Sequence, residues 1–269
     1  QLHSLRWMLD NDQEYSGSKL KFHKSTAMFL EKMLPRGSRL QRQEAYERLL
    51  QDLKHPEQAS WEIPETVTAS LRPYQVVGYQ WLKTLAHYGM GGILADDMGL
   101  GKTLQAIVYI CSFPGQKTLI VCPTSLAYNW QDEFQKFAPS IRTCIVQGTP
   151  EEREELIAGR QGDYDVWITT YPLIRKDTKS YQQQKYDHIF LDEAQFIKNP
   201  SSLGAKAVKS IPADNRFALT GTPIENALSE LWSIFDFIMP GFFMKYSRFA
   251  DAYEKPILKE HDQNRMKEL

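Results

Sequence analysis

The strongest constraint on the fold is an alternation that begins after residue 70. Short apolar runs recur, and amphipathic stretches fill the gaps between them. The runs are "GGILA" (91–95), "TLIVC" (118–122), "RTCIV" (142–146), "DVWIT" (165–169), "HIFLD" (188–192) and "RFALT" (216–220). Helical spacing fits 103–112, 125–137, 150–158, 171–176, 203–210 and 225–237. The last carries Leu228, Leu231, Trp232 and Phe235 on one face, a stripe that belongs to a core. Strands that are apolar throughout and separated by helices predict an α/β fold. The expected architecture is a mainly parallel sheet with helices on both faces. Ligands of such sheets sit beyond the carboxyl ends of the strands, so the residues after each run are the candidate site.

The first run leads into "LADDMGLGKTLQA" (94–106). This nearly matches the phosphate-loop pattern G-x-x-x-x-G-K-[ST], with Gly101, Lys102 and Thr103 in the last three places and Asp96 where the pattern opens on glycine. The loop lies at a helix N-terminus, where free amides and the helix dipole favour a phosphate. Gly99 and Gly101 let the backbone curl into an anion nest. Lys102 is placed to reach terminal phosphates, and the Thr103 hydroxyl to ligate magnesium. The missing glycine serves turn geometry more than phosphate contact, so Asp96 need not destroy the site.

"IFLDEAQ" (189–195) is the matching second half. An apolar strand ends in Asp192, suited to hold magnesium partly through water. Glu193 follows, suited to orient the attacking water or accept its proton. In "LRPYQVVGYQWL" (71–82), Gln75 is read as standing just before a helix. Its amide could accept from the exocyclic amine of adenine and donate to a ring nitrogen; an ordinary exposed helix-start glutamine is the alternative. Thr124 and Thr170 fall at strand ends. Their hydroxyls suit either phosphate contacts or helix capping.

Residues 1–58 read as helical, with apolar positions at helical spacing in "STAMFLEKML" and "YERLLQDL". Between Ser18 and Arg42 lie seven Lys or Arg and one acid, Glu31, a solvated face or a phosphate-facing patch. "HPEQASWEIPE" (55–65) reads as a linker. The overall charge of -1 leaves any basic surface local, and 42% hydrophobic residues exclude a disordered chain. Cys111, Cys122 and Cys144 lack metal-ligand or redox spacing and read as core residues in a reducing compartment. No apolar run approaches a membrane span, and Arg6, Asp10 and Asp12 interrupt any signal-peptide pattern. A soluble intracellular protein is expected. The first residue, Gln1, suggests a processed or excised chain.

Six stretches in order carry a family resemblance: "LRPYQVVGYQWL", "DDMGLGKTLQAI", "LIVCPTSLAYNWQDEFQKF", "WITTYPLIRKD", "LDEAQFIKN" and "LTGTPIENALSELWSIFDFIMPGFF". They resemble the motifs of the Swi/Snf-type DNA translocase ATPases of helicase superfamily two, over about residues 60–258. Asp96 is then a family signature, since two acids commonly precede M-G-L-G-K-T there. The resemblance implies a RecA-like lobe that binds ATP, Mg2+ and double-stranded DNA. It places Arg72, Gln75, Asp97, Met98, Gly99, Leu100, Gly101, Lys102 and Thr103 at ATP. Thr103 and Asp192 fall at magnesium, and Lys102, Asp192 and Glu193 in hydrolysis. Pro123, Thr124, Trp130 and Thr170 lie in motifs that track the DNA backbone. Thr220, Gly221 and Thr222 lie in the motif that couples ATP state to DNA grip. The "DEAQ" form leans toward prokaryotic members.

The implied organisation is a helical N-terminal extension (1–58), the RecA-like lobe (59–258) and the start of a linker or insertion (259–269). A second RecA-like lobe, which supplies arginines to the ATP cleft in this family, is expected beyond the chain. The expected partners are that lobe, duplex DNA and a nucleoprotein target, with no membrane. The implied place is cytoplasmic and nucleoid-associated in a prokaryote, or nuclear in a eukaryote. Two other functions fit less well: an RNA or single-strand helicase of the same superfamily, and a nucleotide-gated binding module with little turnover.

Overall fold

The computed structural model describes residues 44–222, 227–243 and 245–259, together with Tyr15–Ser16, Lys19–Leu20 and Met266. Tyr15–Ser16 (β1) and Lys19–Leu20 (β2) form a small antiparallel ladder. These four residues depart from the helical reading of residues 1–58. "STAMFLEKML" and the basic stretch between its neighbours lie outside the described residues apart from Lys19 and Leu20. "YERLLQDL" does form a helix, Glu44–Lys54 (α1), whose Leu49, Leu50 and Leu53 join the core of the main body.

The stretch read as a linker is held down. The Trp61 indole donates to Thr84 Oγ1 (3.1 Å), Tyr79 donates to the carbonyl of Glu62 (2.8 Å), and the Thr68 amide donates to the carbonyl of Phe137 (2.9 Å). Pro73–His87 (α2) follows, then Gly92–Leu94 (β3), Lys102–Cys111 (α3), Thr118–Cys122 (β4) and Ala127–Phe137 (α4). Thr143–Ile145 (β5), Pro150–Ile157 (α5), Val166–Thr170 (β6), Tyr171–Lys176 (α6) and Thr178–Gln182 (α7) come next. Tyr186–Asp192 (β7), Leu203–Lys209 (α8), Ala213–Leu219 (β8) and Leu228–Ile238 (α9) complete the layers.

The main sheet has the order β3-β8-β7-β4-β6-β5, and each neighbouring pair is parallel. A mainly parallel sheet was expected; the six strands are parallel throughout. Alternate side chains of each strand feed two cores. Ile120, Ile168, Phe190 and Phe217 pack under α2, α3 and α4, with Tyr79, Ile107, Trp130 and Phe134. Leu119, Trp167, Ile189, Leu191 and Ala218 pack on the other face against Ile174, Tyr181, Val208 and Phe237. Both faces are therefore dry, which is why the strands carry no polar alternation. The three cysteines are buried and free, and burial pushes the Cys122 thiol up to about 12. No helix among the described residues is long and apolar enough to cross a membrane.

Register decides where function can sit. Leu94 pairs with Leu219, Leu219 with Asp192, Leu191 with Val121, and Cys122 with Thr170. Five strands thus end along one edge, and the loops that leave them meet there.

Candidate functional site

The phosphate loop bridges β3 and α3. Gly99 and Gly101 adopt φ of 82° and 77°, left-handed values that a side chain would strain. Gly101 caps α3, and a Cβ there would stand 2.4 Å from Gln75 Nε2. The loop is braced from inside. Lys102 Nζ donates to the carbonyls of Asp96 (2.7 Å) and Asp97 (3.1 Å), and Gln75 Nε2 donates to the carbonyl of Leu100 (3.1 Å). Asp97 and Met98 are exposed, and Thr103 lies half-buried in the first turn of α3.

Asp96 has a structural task where the usual pattern has glycine. Its Oδ2 accepts from Gln105 Nε2 at 3.0 Å, so the loop is tied to the buried face of α3. Gln105 is wholly buried, and a Cβ on Gly78 would come within 1.7 Å of its Oε1. Gly78 is what lets α2 lie this close. Gln105 escaped the sequence reading. Its signal is a glutamine inside an otherwise apolar helix, "LQAIVYI".

Gln75 does not stand ahead of a helix as expected. It occupies the first turn of α2 and is buried. Its Oε1 accepts from the amide of Arg72, an exposed residue that caps the helix (2.9 Å). Both ends of the Gln75 amide are therefore on backbone groups that frame the loop.

Asp192 closes β7, with 9% exposure. Its Oδ1 accepts from the Glu193 amide (3.0 Å), and its Oδ2 from the Trp130 indole N–H (2.9 Å). Tyr171 donates its hydroxyl to the Asp192 carbonyl at 2.8 Å. Burial pushes the carboxyl above its ordinary value. The Trp130 bond opposes this, the nearby Glu193 charge adds to it, and Lys102 opposes it. Glu193 has φ of 52°, the one positive value on a non-glycine among the described residues. Such strain is held only where neighbours over-determine it. Glu193 Oε2 accepts from Gln195 Nε2 (2.7 Å), and Gln195 Oε1 accepts from the Thr220 hydroxyl (3.0 Å). Thr220 Oγ1 in turn accepts from the Thr222 amide (3.1 Å). Gly221 borders the phosphate loop, since a Cβ there would lie 3.3 Å from Met98 Cγ. The expected coupling residues Thr220, Gly221 and Thr222 thus connect to the Glu193 half through Gln195 and border the phosphate loop at Gly221. The role of that glutamine was not foreseen, although the letter after "DEA" marked it.

The expected backbone-tracking residues separate. Pro123 is half-buried and Thr124 is exposed, opening a short turn Thr124–Leu126 that leads into α4. Trp130 and Thr170 do not face solvent: Trp130 is 1% and Thr170 6% exposed. Both were expected in motifs that track the DNA backbone, and their side chains are buried. The reason is helical spacing, because Ala127, Trp130 and Phe134 form the inward stripe of α4. Thr170 ends β6 and begins α6 without a side-chain cap bond.

The donor set suits one kind of metal. Thr103 and Asp192 offer oxygen only, and no cluster of His, Cys, Asp or Glu that could bind a metal alone occurs among the described residues. Magnesium is commonly held in this way, by one or two protein oxygens with phosphates and waters. The left-handed glycines at 99 and 101 give the loop the curl that such an anion nest requires.

The family described as SNF2-related domain matches residues 1–269. The chain is 40% identical over 225 residues to the TATA-binding protein-associated factor MOT1 of Saccharomyces cerevisiae, covering 77% of this chain and 12% of that protein. It is 42% identical over 191 residues to an uncharacterized ATP-dependent helicase of Mycoplasma pneumoniae, covering 69% and 18%. The solved SWI2/SNF2 ATPase core of Sulfolobus solfataricus in complex with dsDNA is similar in fold. Its TM-score is 0.70 at 38% identity, over 77% of this chain and 44% of that one. The chain spans less than a fifth of either curated relative.

Proposed function

The chain belongs to the SNF2-related family and is an ATPase domain of it, and from that premise we propose that it is the ATP-binding lobe of a motor that moves on double-stranded DNA. The observation that carries this reading is the bonded path Glu193–Gln195–Thr220, which links the hydrolytic carboxylate to the loop after β8. A change at the γ-phosphate felt by Glu193 reaches Thr220 through two hydrogen bonds. That is the local requirement for coupling hydrolysis to movement.

In this reading Lys102 leaves the carbonyls of Asp96 and Asp97 to meet the terminal phosphates, and the amides after Gly99 and Gly101 cradle them. Thr103 and Asp192 would hold magnesium, which would supply positive charge to the phosphates, and Glu193 would orient the attacking water. Gln75 takes adenine by releasing one of its backbone partners, so nucleotide binding and loop bracing are exchanged. Exposed Thr124 and nearby amides contact phosphates of one strand, which fixes position without reading bases. A second RecA-like lobe completes the cleft and supplies arginine. In related sites this contribution amounts to roughly 10³–10⁵ in rate.

The test uses the protein with its second lobe. ATP hydrolysis is compared with duplex DNA, single-stranded DNA and RNA, and strand displacement is followed on a labelled duplex and a triplex. Duplex-stimulated turnover with loss of the third strand is expected, weakening as salt rises. ATP-dependent separation of the plain duplex, with no triplex displacement, would replace the translocase with a helicase.

A further inference from the structure

The two oxygens of Asp192 are engaged by different kinds of donor. Oδ1 takes the amide of the next residue, Glu193, which the backbone places there. Oδ2 takes the indole N–H of Trp130 at 2.9 Å, from a helix 62 residues away in the chain. Trp130 is buried and packed beside Phe134, with ring centroids 6.2 Å apart, so its indole is fixed by the core. Without this donor, Oδ2 would be a buried acceptor left without its hydrogen bond. The same helix begins where the exposed Thr124 turn ends.

We propose that Trp130 is a positioning residue for the magnesium carboxylate. It holds Asp192 in the orientation that faces the phosphate loop, and it ties that orientation to the seating of α4. The proposal rests on the reading of Asp192 as the magnesium ligand. Contact of a phosphate backbone with the Thr124 end of α4 would then act on the metal site through one rigid ring. This explains why a tryptophan in a DNA-tracking motif points away from solvent. Donors that orient a metal-binding carboxylate typically contribute ten- to a hundredfold in metal affinity.

The test removes the N–H and keeps the ring. Trp130 is replaced in the full chain by β-(3-benzothienyl)alanine, which carries sulfur in place of the indole nitrogen, and separately by Trp130→Phe. Binding of a non-hydrolysable ATP analogue is titrated against magnesium. The half-saturating magnesium concentration is expected to rise about ten- to a hundredfold, with metal-free nucleotide affinity near wild type and the variant still folded. Indole N–H resonances of ¹⁵N-tryptophan-labelled chain give a second readout. The signal lost in Trp130→Phe should move in Asp192→Asn. An isosteric variant with wild-type magnesium dependence, or an indole signal indifferent to Asp192→Asn, overturns the proposal. If Trp130→Phe does not fold, the benzothienyl variant decides. Unchanged magnesium dependence in Asp192→Asn would instead remove Asp192 from the metal site, and the proposal with it.

Discussion

Strand β7 buries two ionisable side chains on one face, His188 near its amino end and Asp192 at its carboxyl end, and their surroundings differ in kind. His188 is 1% exposed and wholly partnered by neutral groups: Nδ1 meets the Tyr109 hydroxyl at 3.0 Å and Nε2 meets Gln116 Oε1 at 2.6 Å. The tautomer with hydrogen on Nε2 satisfies both. Burial pushes its pKa down to about 4, so it is an uncharged core residue. Asp192 lies under the same core but accepts only N–H donors, next to a loop whose lysine is bonded to carbonyls. One end of the strand resolves its polarity within the protein. The other leaves a carboxylate near the lysine of the phosphate loop, where magnesium and phosphates are proposed to sit. Equal burial therefore does not mean equal role; the partners decide.

Four changes sharpen that contrast. Lys102→Ala should have the largest effect, abolishing ATP-dependent function of the complete protein, because the lost charge stabilises phosphate in ground and transition states. Near-normal turnover at saturating ATP would sink the assignment. Glu193→Gln should leave nucleotide binding intact while lowering hydrolysis by about 10² or more. Equilibrium binding and single-turnover hydrolysis separate the two, and a collapse of affinity with normal turnover would count against it.

At the closed end, the effects should be on stability alone. His188 has a folded pKa below its unfolded value, so between about pH 6.5 and 4 the unfolded chain binds the extra proton. Its contribution is present above that window and is lost as pH falls through it, by up to about 3 kcal/mol. His188→Gln should flatten the acid slope in urea denaturation at pH 7 and 4.5; an unchanged slope would show another group responsible. Tyr109→Phe should be the smallest change, costing about 1–3 kcal/mol by leaving Nδ1 without a donor. Nucleotide affinity should not move, and a drop there would break the separation of the two ends.

The phosphate loop was legible because its chemistry is local: Gly99, Gly101, Lys102 and Thr103 are neighbours in sequence and act as neighbours in space. So was the strand–helix alternation, since a strand dry on both faces is written as an unbroken apolar run. The short helix Thr178–Gln182 was not, for five residues carry too little periodicity. Trp130 is the harder case. The resemblance placed it in a motif that tracks DNA, while the spacing of Ala127, Trp130 and Phe134 already pointed its side chain inward.

The sequence by itself determined the fold class and the order of the elements and supplied the candidate catalytic side chains, because each rests on residue type and short spacing. Tertiary structure alone decided which of those side chains meet. Strand order brings Asp192 beside Leu219 and, two strands along, Leu94, and so carries Thr220 to Gln195 and Met98 to Gly221. No local pattern encodes that order. It follows from how two apolar faces of one sheet are covered at once, a condition that only the whole chain can meet.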